Sequence, residues 1–454
     1  MVPPDLIHAS RLALISCVLG AGMPVQAQEG GSGVQVLDPE ILVDFRLEGA
    51  PELIRGRLRS WDSHGIVGSF GTHAWEELDL RSLNQVCFEL IDARVAADLV
   101  FLGELQLRRV DPEADHRAEQ TFRRALALDP ASRPLIEAAR ERAAAFERAQ
   151  AEAERLRAAQ RLQESMPEGK AWAASPWPVQ TDAEQAQAVL DLREETAALL
   201  SDAGLPETEP IETDYFLVYL VNAPGDPRGV IRDLDQMYRK IATLLDLPEV
   251  QGRPINLFWG KAVVIIAGEE GQFRLIEAHG FNQKVPAGVV GLCHSIGPKV
   301  FVNTYRTPDD FLFASVLVHE AVHGMMHRFV TPKRLPTWAN EGLADWAADN
   351  IVPGRTLDAA RRRQGLDFIR GGGRLEAIME MNYEDGSWPG PDGVGYGASY
   401  LLVHYMIDQN RYGFADWVRE VKAGGDWREA MVSEYGASAD RLVRFAREWH
   451  LTND

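Results

Sequence analysis

The segment HEAVH, residues 319–323, holds two histidines four positions apart and a glutamate directly after the first of them. In an α-helix, residues at positions i and i+4 lie about 40° apart around the axis, so His319 and His323 could reach one metal ion. Glu320 would be turned by about 100°, towards the space beside that ion. Imidazoles and a neighbouring carboxylate arranged in this way predict a helix that binds a hydrolytic zinc ion.

A zinc ion that keeps one position open for water needs a third protein ligand. A third histidine at the spacing HExxHxxGxxH is absent, because His327 falls at a different position. Eighteen residues beyond His323, the segment TWANEGLADW supplies Glu341 and Asp345, which share one helical face. Two such carboxylates repel each other, and a zinc ion on Glu341 together with an imidazole N–H on Asp345 would relieve that repulsion.

The two motifs HEAVH and NEGLAD resemble those of the gluzincin zinc metallopeptidases, and within them the bacterial proteins similar to peptidase MA that carry a WxxEGxA second motif. The resemblance covers residues 206–454, and its specificity lies in these two short segments. The GxMEN element of the zinc aminopeptidases is absent, which argues against recognition of a free amino terminus. The roles that the resemblance implies are zinc ligation by His319, His323 and Glu341, general-base catalysis by Glu320, and orientation of His319 by Asp345.

An open zinc site beside a carboxylate base suits the hydrolysis of an amide, whereas a structural zinc is normally closed by four protein ligands. A second donor to the oxyanion is usual in the resembled family, commonly a tyrosine or histidine from a later helix. Tyr396 is the candidate, because a Gly- and Pro-rich loop enters a helix there and loops often deliver site residues. Tyr400 and Tyr405 lie nearby, and a packing role for Tyr396 remains an alternative.

The first 27 residues have the pattern of an export signal. Arg11 precedes an apolar run that is too short to span a bilayer, and small residues favour cleavage after Ala27. Lipid anchoring at Cys17 is the alternative, although the apolar segment before it is very short. No later stretch reaches eighteen apolar residues, so we expect no transmembrane segment after signal removal and a periplasmic or extracellular location in bacteria.

Composition and charge exclude several other classes of protein. With 46% hydrophobic and 25% charged residues, the chain has a globular composition. A net charge of −20 repels phosphate, so we expect no nucleic-acid partner. The three cysteines include no CxxC pair, which excludes cysteine-rich zinc sites and a disulfide scaffold, while a bridge between Cys87 and Cys293 stays open.

A chain of 454 residues favours several packed units, and its patterns change along the sequence. Residues 34–95 alternate apolar and polar positions around the corners DSHG and FGTH, which predicts a small all-β module. The segment AEQTFRRALALDP is similar to the second helix of a tetratricopeptide repeat, but a single copy supports no superhelix. The predicted segments are an export signal at 1–27, a β module at 28–96, a tetratricopeptide-like α-helical segment with a long helix at 97–165, a linker with a helix at 166–205, and a gluzincin-like catalytic domain at 206–454.

Local patterns predict the elements that position the candidate residues. The strands DYFLVYLV, GKAVVIIAG and PKVFVNTYR alternate with helices, which favours an α+β domain with a mixed sheet and a helical lower lobe. The strand KVFVNTYR could be a sheet edge that receives an extended peptide, or an interior strand. Thr307 as N-cap, Pro308 at the first helical position and Asp310 predict the start of the zinc helix.

Taken together, these patterns predict an exported zinc-dependent peptidase that acts on peptides or proteins. The alternative is a cell-envelope interaction or scaffold protein, in which the amino-terminal modules bind a protein partner and the zinc domain is not catalytic. Hydrolysis of a non-peptide amide would need the same site residues and differs only in substrate.

Overall fold

The computed structural model describes residues 34–109, 111–164, 175–223, 225–352 and 356–453. The predicted export signal at 1–27 and residues 166–174 of the predicted linker lie outside this part of the chain. By its internal contacts the chain divides into two compact units, Met1–Arg148 and Ala149–Asp454. The coarse expectation of several units with a small antiparallel sheet, many helices and a mixed sheet is confirmed.

The amino-terminal unit contains a four-stranded antiparallel meander in the order β1-β2-β3-β4. The chain turns between β2 and β3 at DSHG, as predicted, but the next turn is at Ser69 and Phe70, because most of FGTH belongs to β4. Phe45, Leu58, Ile66 and Trp75 form the core on one face. The strands are β1 (Gln35–Phe45), β2 (Ile54–Trp61), β3 (Gly65–Gly68) and β4 (Gly71–Ala74).

The prediction that residues 28–96 are all β is wrong at Leu80–Leu90, which forms helix α1. The apolar residues Leu83, Val86 and Cys87 recur at helical spacing and pack against the sheet, and Asp79 caps the first turn by accepting a hydrogen bond from the Ser82 amide. The other helices of this region are α2 (Ala96–Leu107), α3 (Pro112–Leu128) and α4 (Arg133–Glu164).

Helices α2 and α3 form a hairpin at the segment that resembles a tetratricopeptide repeat. Ala118, Phe122 and Ala125 are buried in its core. A Cβ atom at Gly103 of α2 would lie 2.4 Å from the Phe122 ring, so only glycine allows this close packing. The small and aromatic positions of the sequence pattern are therefore the ones that pack in the hairpin.

The carboxy-terminal unit is built on a five-stranded mixed sheet with the order β10-β11-β9-β6-β5. The three inner strands are parallel, and both edge strands run antiparallel to their neighbours. The strands of this unit are β5 (Ile211–Glu212), β6 (Phe216–Val221), β7 (Glu249–Val250), β8 (Arg253–Pro254), β9 (Ala262–Ala267), β10 (Gly291–Ile296) and β11 (Lys299–Tyr305), of which β7 and β8 form a separate ribbon.

The strand KVFVNTYR, which the sequence left open as an edge or an interior strand, is interior: β11 lies between β10 and β9. The buried strands β6 and β9 alternate between two hydrophobic cores, because successive side chains point to opposite faces. Helices α5 (Asp182–Asp202) and α7 (Glu270–Gly280) pack on one face, and α6 (Arg228–Leu244) and α8 (Asp310–Arg328) pack on the other. Helix α5 opens with a capping box formed by Thr181 and Glu184.

Helix α8 begins two residues later than the sequence predicted. Its N-cap is Asp309, whose carboxylate accepts hydrogen bonds from the amides of Phe311 and Leu312, so Thr307 and Pro308 stay outside the helix. Downstream, the described chain is helical, as expected, through α9 (Thr337–Ile351), α10 (Thr356–Arg370), α11 (Leu375–Glu380), α12 (Val394–Gln409), α13 (Arg411–Ala423), α14 (Trp427–Tyr435) and α15 (Ala439–Asn453).

Two further expectations concern membranes and cysteines. Within the described ranges, none of the helices combines the length and the apolar character that a membrane span needs. Cys87 and Cys293 are free thiols, so the bridge between them is absent.

Candidate metal centre

Two neighbouring helices carry the residues that the motifs singled out. Helix α8 supplies His319, Glu320 and His323, and helix α9 supplies Glu341 and Asp345. Both helices are buried along the faces that meet, and both belong to the largest hydrophobic core of the unit. The sequence therefore brings the two motifs together through the packing of α9 on α8.

A glycine in the second motif keeps α9 close to α12. A Cβ atom at Gly342 would lie 2.4 Å from the Ser399 carbonyl oxygen, a distance that real Cβ contacts do not show. Any larger residue would push α9 away from α12 and shift the neighbouring Glu341. Close packing of α9 on α12 thus explains the glycine of the NEGLAD motif without any catalytic role for it.

The side chains of His319, His323 and Glu341 converge on one point. The two Nε2 atoms lie 3.1 Å apart, the Nε2 of His319 is 3.2 Å from Glu341 Oε2, and the Nε2 of His323 is 3.4 Å from Glu341 Oε1. Tetrahedral ligands at zinc bond lengths of about 2.0–2.1 Å are separated by about 3.3 Å. The nitrogen and oxygen atoms therefore have the types and spacing that fit a zinc ion.

Hydrogen bonds behind the imidazoles orient both rings. His319 donates from Nδ1 to Asp345 Oδ1 at 2.8 Å, because a carboxylate can only accept, and this leaves Nε2 as the nitrogen that could bind a metal. The Nδ1 of His323 lies 2.9 Å from the side-chain amide of Asn340. Asp345 is 1% exposed and also pairs with the guanidinium of Arg361.

The charges of the cluster favour a bound cation. Burial alone would raise the pKa of Glu341, but the adjacent imidazoles of His323 and His319 hold that pKa well below its ordinary value. Burial lowers the pKa of both histidines, but neighbouring carboxylates outweigh this effect. Asp345 and Glu341 raise the pKa of His319 well above its ordinary value, and Glu341 raises that of His323. Protons on the two imidazoles thus supply the positive charge that a bound metal ion could supply instead.

Glu320 lies next to the cluster, at the edge of the sheet rather than among the ligands. A Cβ atom at Gly291, the first residue of β10, would come within 3.2 Å of Glu320 Cγ and 2.7 Å of Val316 Cγ1. The glycine therefore lets the edge strand approach α8 beside Glu320. The Glu320 charge is also close enough to His323 to help raise the pKa of that imidazole.

Of the three tyrosines weighed from the sequence, Tyr396 is near the cluster. Its ring centroid lies 6.4 Å from that of His319, and the Arg361 guanidinium stacks 4.3 Å above it. Tyr400 instead donates its hydroxyl to Asp349 Oδ2 at 2.8 Å, and Tyr405 packs against Trp449. The position of Tyr396 is compatible with contact to a bound substrate.

Sequence reasoning missed Tyr383, Asn340 and Arg361. The Tyr383 hydroxyl is close enough to Glu341 and to Tyr396 to interact with both, and burial of that hydroxyl together with the Glu341 charge raises the pKa of Tyr383 well above its ordinary value. Tyr383 precedes the helix α12 in a stretch with no periodic pattern, and Arg361 is one of three consecutive arginines. Only Asn340, adjacent to Glu341 in the second motif, carried a signal that could have found it.

Comparison with known proteins adds no assignment. A scan against protein-family models matches none of them, and a search of curated proteins finds no match. The similarity to gluzincins therefore depends on the two motifs and on the convergence of their side chains.

Proposed function

We propose that this protein is an exported zinc-dependent peptidase of the gluzincin type. The observation that carries the proposal is the convergence of His319, His323 and Glu341 beside a carboxylate that is not a ligand, Glu320. The three ligand groups lie within 4.8 Å of one another, and their atom types fit zinc. When bound there, zinc would supply a Lewis acid and lower the pKa of a water molecule.

The side chains of the protein would then move the protons. Glu320 accepts a proton from the attacking water and returns it to the nitrogen of the departing amine, which is general base followed by general acid catalysis. Asp345 holds the ring of His319 in place, and Arg361 holds Asp345. The cluster and its supporting residues thus remain in one geometry while Glu320 exchanges protons.

Tyr383 and Tyr396 are candidates for stabilising the negative oxygen of the intermediate. The raised pKa of Tyr383 keeps its hydroxyl protonated near neutrality, so it can donate a hydrogen bond. Tyr383 interacts with both Tyr396 and Glu341, so the two tyrosines lie beside the same candidate ligand. Tyr396 is thus proposed as a hydrogen-bond donor to the oxyanion, as predicted from the sequence, and Tyr383 is proposed as a second donor.

An extended peptide is the substrate that the surroundings favour. β10 stands at the end of the sheet, so one edge of the strand is available for pairing with an added strand. Gly291 at its start lies against Glu320, so a peptide paired with β10 would pass the candidate base. Main-chain pairing of this kind binds peptides with little dependence on their side chains.

The test is the variant Glu320→Gln assayed with a peptide library. We expect turnover to fall by at least about 10³-fold while metal content is kept, since the amide cannot accept the proton. Glu384→Gln, an exposed position of the same unit, is the matched control and should retain parental activity. Equal turnover by Glu320→Gln and parent, or turnover by neither, would favour the scaffold alternative.

A further inference from the structure

A polar cavity lies at the carboxy-terminal end of helix α8, where Arg328 and Val330 line it. It has a volume of about 60 Å³ and lies between the end of α4, the start of α5 and the segment that follows β8. A single water molecule needs about 10–15 Å³ of such space, so the cavity holds about four waters or one small ligand. Its walls combine apolar side chains with Arg328, Gln180 and Gln185.

Arg328, the last residue of α8, is a buried cation that forms no ion pair with any residue the structure describes. It is 4% exposed, its Nε donates to the Leu257 carbonyl, and its guanidinium stacks 4.4 Å from the Trp177 ring. Its Nη1 has no hydrogen-bond partner, and within the described ranges no carboxylate lies within ion-pair distance. Burial lowers the pKa of Arg328 to about 10, so the group stays charged at neutral pH.

Among the described residues, the neighbouring charges do not compensate Arg328. Lys422 is also buried, burial lowers its pKa to about 7, and its amino group donates to the carbonyl oxygens of Met326 and Lys333. Arg155 is already paired with Asp182. An uncompensated buried charge is costly, so this environment favours a bound anion.

The two glutamines supply the remaining contacts. Gln180 is 4% exposed, and its Nε2 donor has no partner while its Oε1 accepts from the Gly260 amide. Gln185 contributes an unpartnered acceptor, Oε1. Two donors and one acceptor match an oxyanion that keeps one hydroxyl proton, such as hydrogen phosphate.

We propose that this cavity is a binding site for a small oxyanion, held by Arg328 and Gln180. The site is independent of the proposed peptidase chemistry. Inorganic phosphate should bind more tightly than acetate, which has no hydroxyl for Gln185.

Isothermal titration calorimetry of the purified protein with inorganic phosphate tests the proposal. We expect about one site per chain, at least tenfold weaker binding in Arg328→Gln, and no change in Arg157→Gln, an exposed arginine of α4. Phosphate could also bind at the metal centre, so the titration is repeated in Glu341→Ala, where binding must persist.

The variant Gln180→Glu tests the same idea without removing Arg328. Its carboxylate keeps the acceptor for Gly260 and places a negative charge in the cavity, so phosphate binding should be lost and the midpoint of thermal unfolding should rise by about 2–4 °C. If Arg328→Gln does not fold, phosphate binding by Gln180→Glu tests the proposal instead. The proposal is overturned if the parent binds no phosphate, or if either cavity variant binds it like the parent.

Discussion

The substitution Asp345→Asn tests how strongly the residues behind the cluster control metal binding. Asp345 is 1% exposed, accepts from His319 Nδ1 at 2.8 Å, and pairs with Arg361. The amide keeps an acceptor for His319 but loses the charge that polarises the ring. Such changes cost about 10–100-fold in metal affinity, equivalent to about 1.4–2.7 kcal/mol.

The assay is competition for zinc with a chelator of known affinity, combined with circular dichroism to establish that the variant is folded. The matched control is Asp349→Asn, one turn further along α9, which removes the charge that accepts a hydrogen bond from Tyr400 rather than from a histidine of the cluster. We expect the control to bind zinc like the parent. If Asp345→Asn folds and also binds zinc with parental affinity, the orienting role of Asp345 is refuted.

Four further predictions concern the same unit. The two imidazoles of the cluster have raised pKa values without metal, so protons compete with zinc for them. Zinc affinity measured by titration should therefore keep rising above pH ~6.5. A plateau of the affinity above that pH would contradict the assignment. For the same reason the stabilisation that these protonated imidazoles give to the metal-free fold should be lost as pH rises through their raised pKa values. Gly342→Ala should lower the free energy of unfolding in urea by about 1–3 kcal/mol, whereas Gly271→Ala, where a Cβ atom meets open space, should not lower it. Tyr383→Phe should reduce kcat at least tenfold with little change in KM. The control is Tyr412→Phe, at an exposed position. Equal kcat in the two variants would exclude Tyr383 from catalysis.

Residue spacing predicted the elements of the candidate site because helical periodicity is a local property. His319 and His323 share a face of α8 for that reason, and Glu341 and Asp345 share a face of α9. The capping box at Thr181 is equally local, since it involves residues three positions apart. Short-range geometry of this kind depends on the sequence within one or two helical turns.

Long-range contacts could not be predicted in the same way. Tyr383 reaches Glu341 from a stretch without periodicity, and Arg361 reaches Asp345 from a different helix. The edge position of β10 depends on the order of strands in the sheet, which a single strand pattern does not contain. At the start of α8, several residues had capping ability, and Asp309 caps the helix because its carboxylate reaches two free amides.

The metal content of the purified protein and of Glu341→Ala, determined by elemental mass spectrometry, tests the central claim most directly. Glu341→Ala removes one ligand of the cluster, and Glu384→Gln serves as the control outside it. We expect about one zinc per chain in the parent and control, and loss of most zinc in Glu341→Ala. A parent without zinc after remetallation, or a Glu341→Ala variant that keeps it, would contradict the assignment of a zinc peptidase.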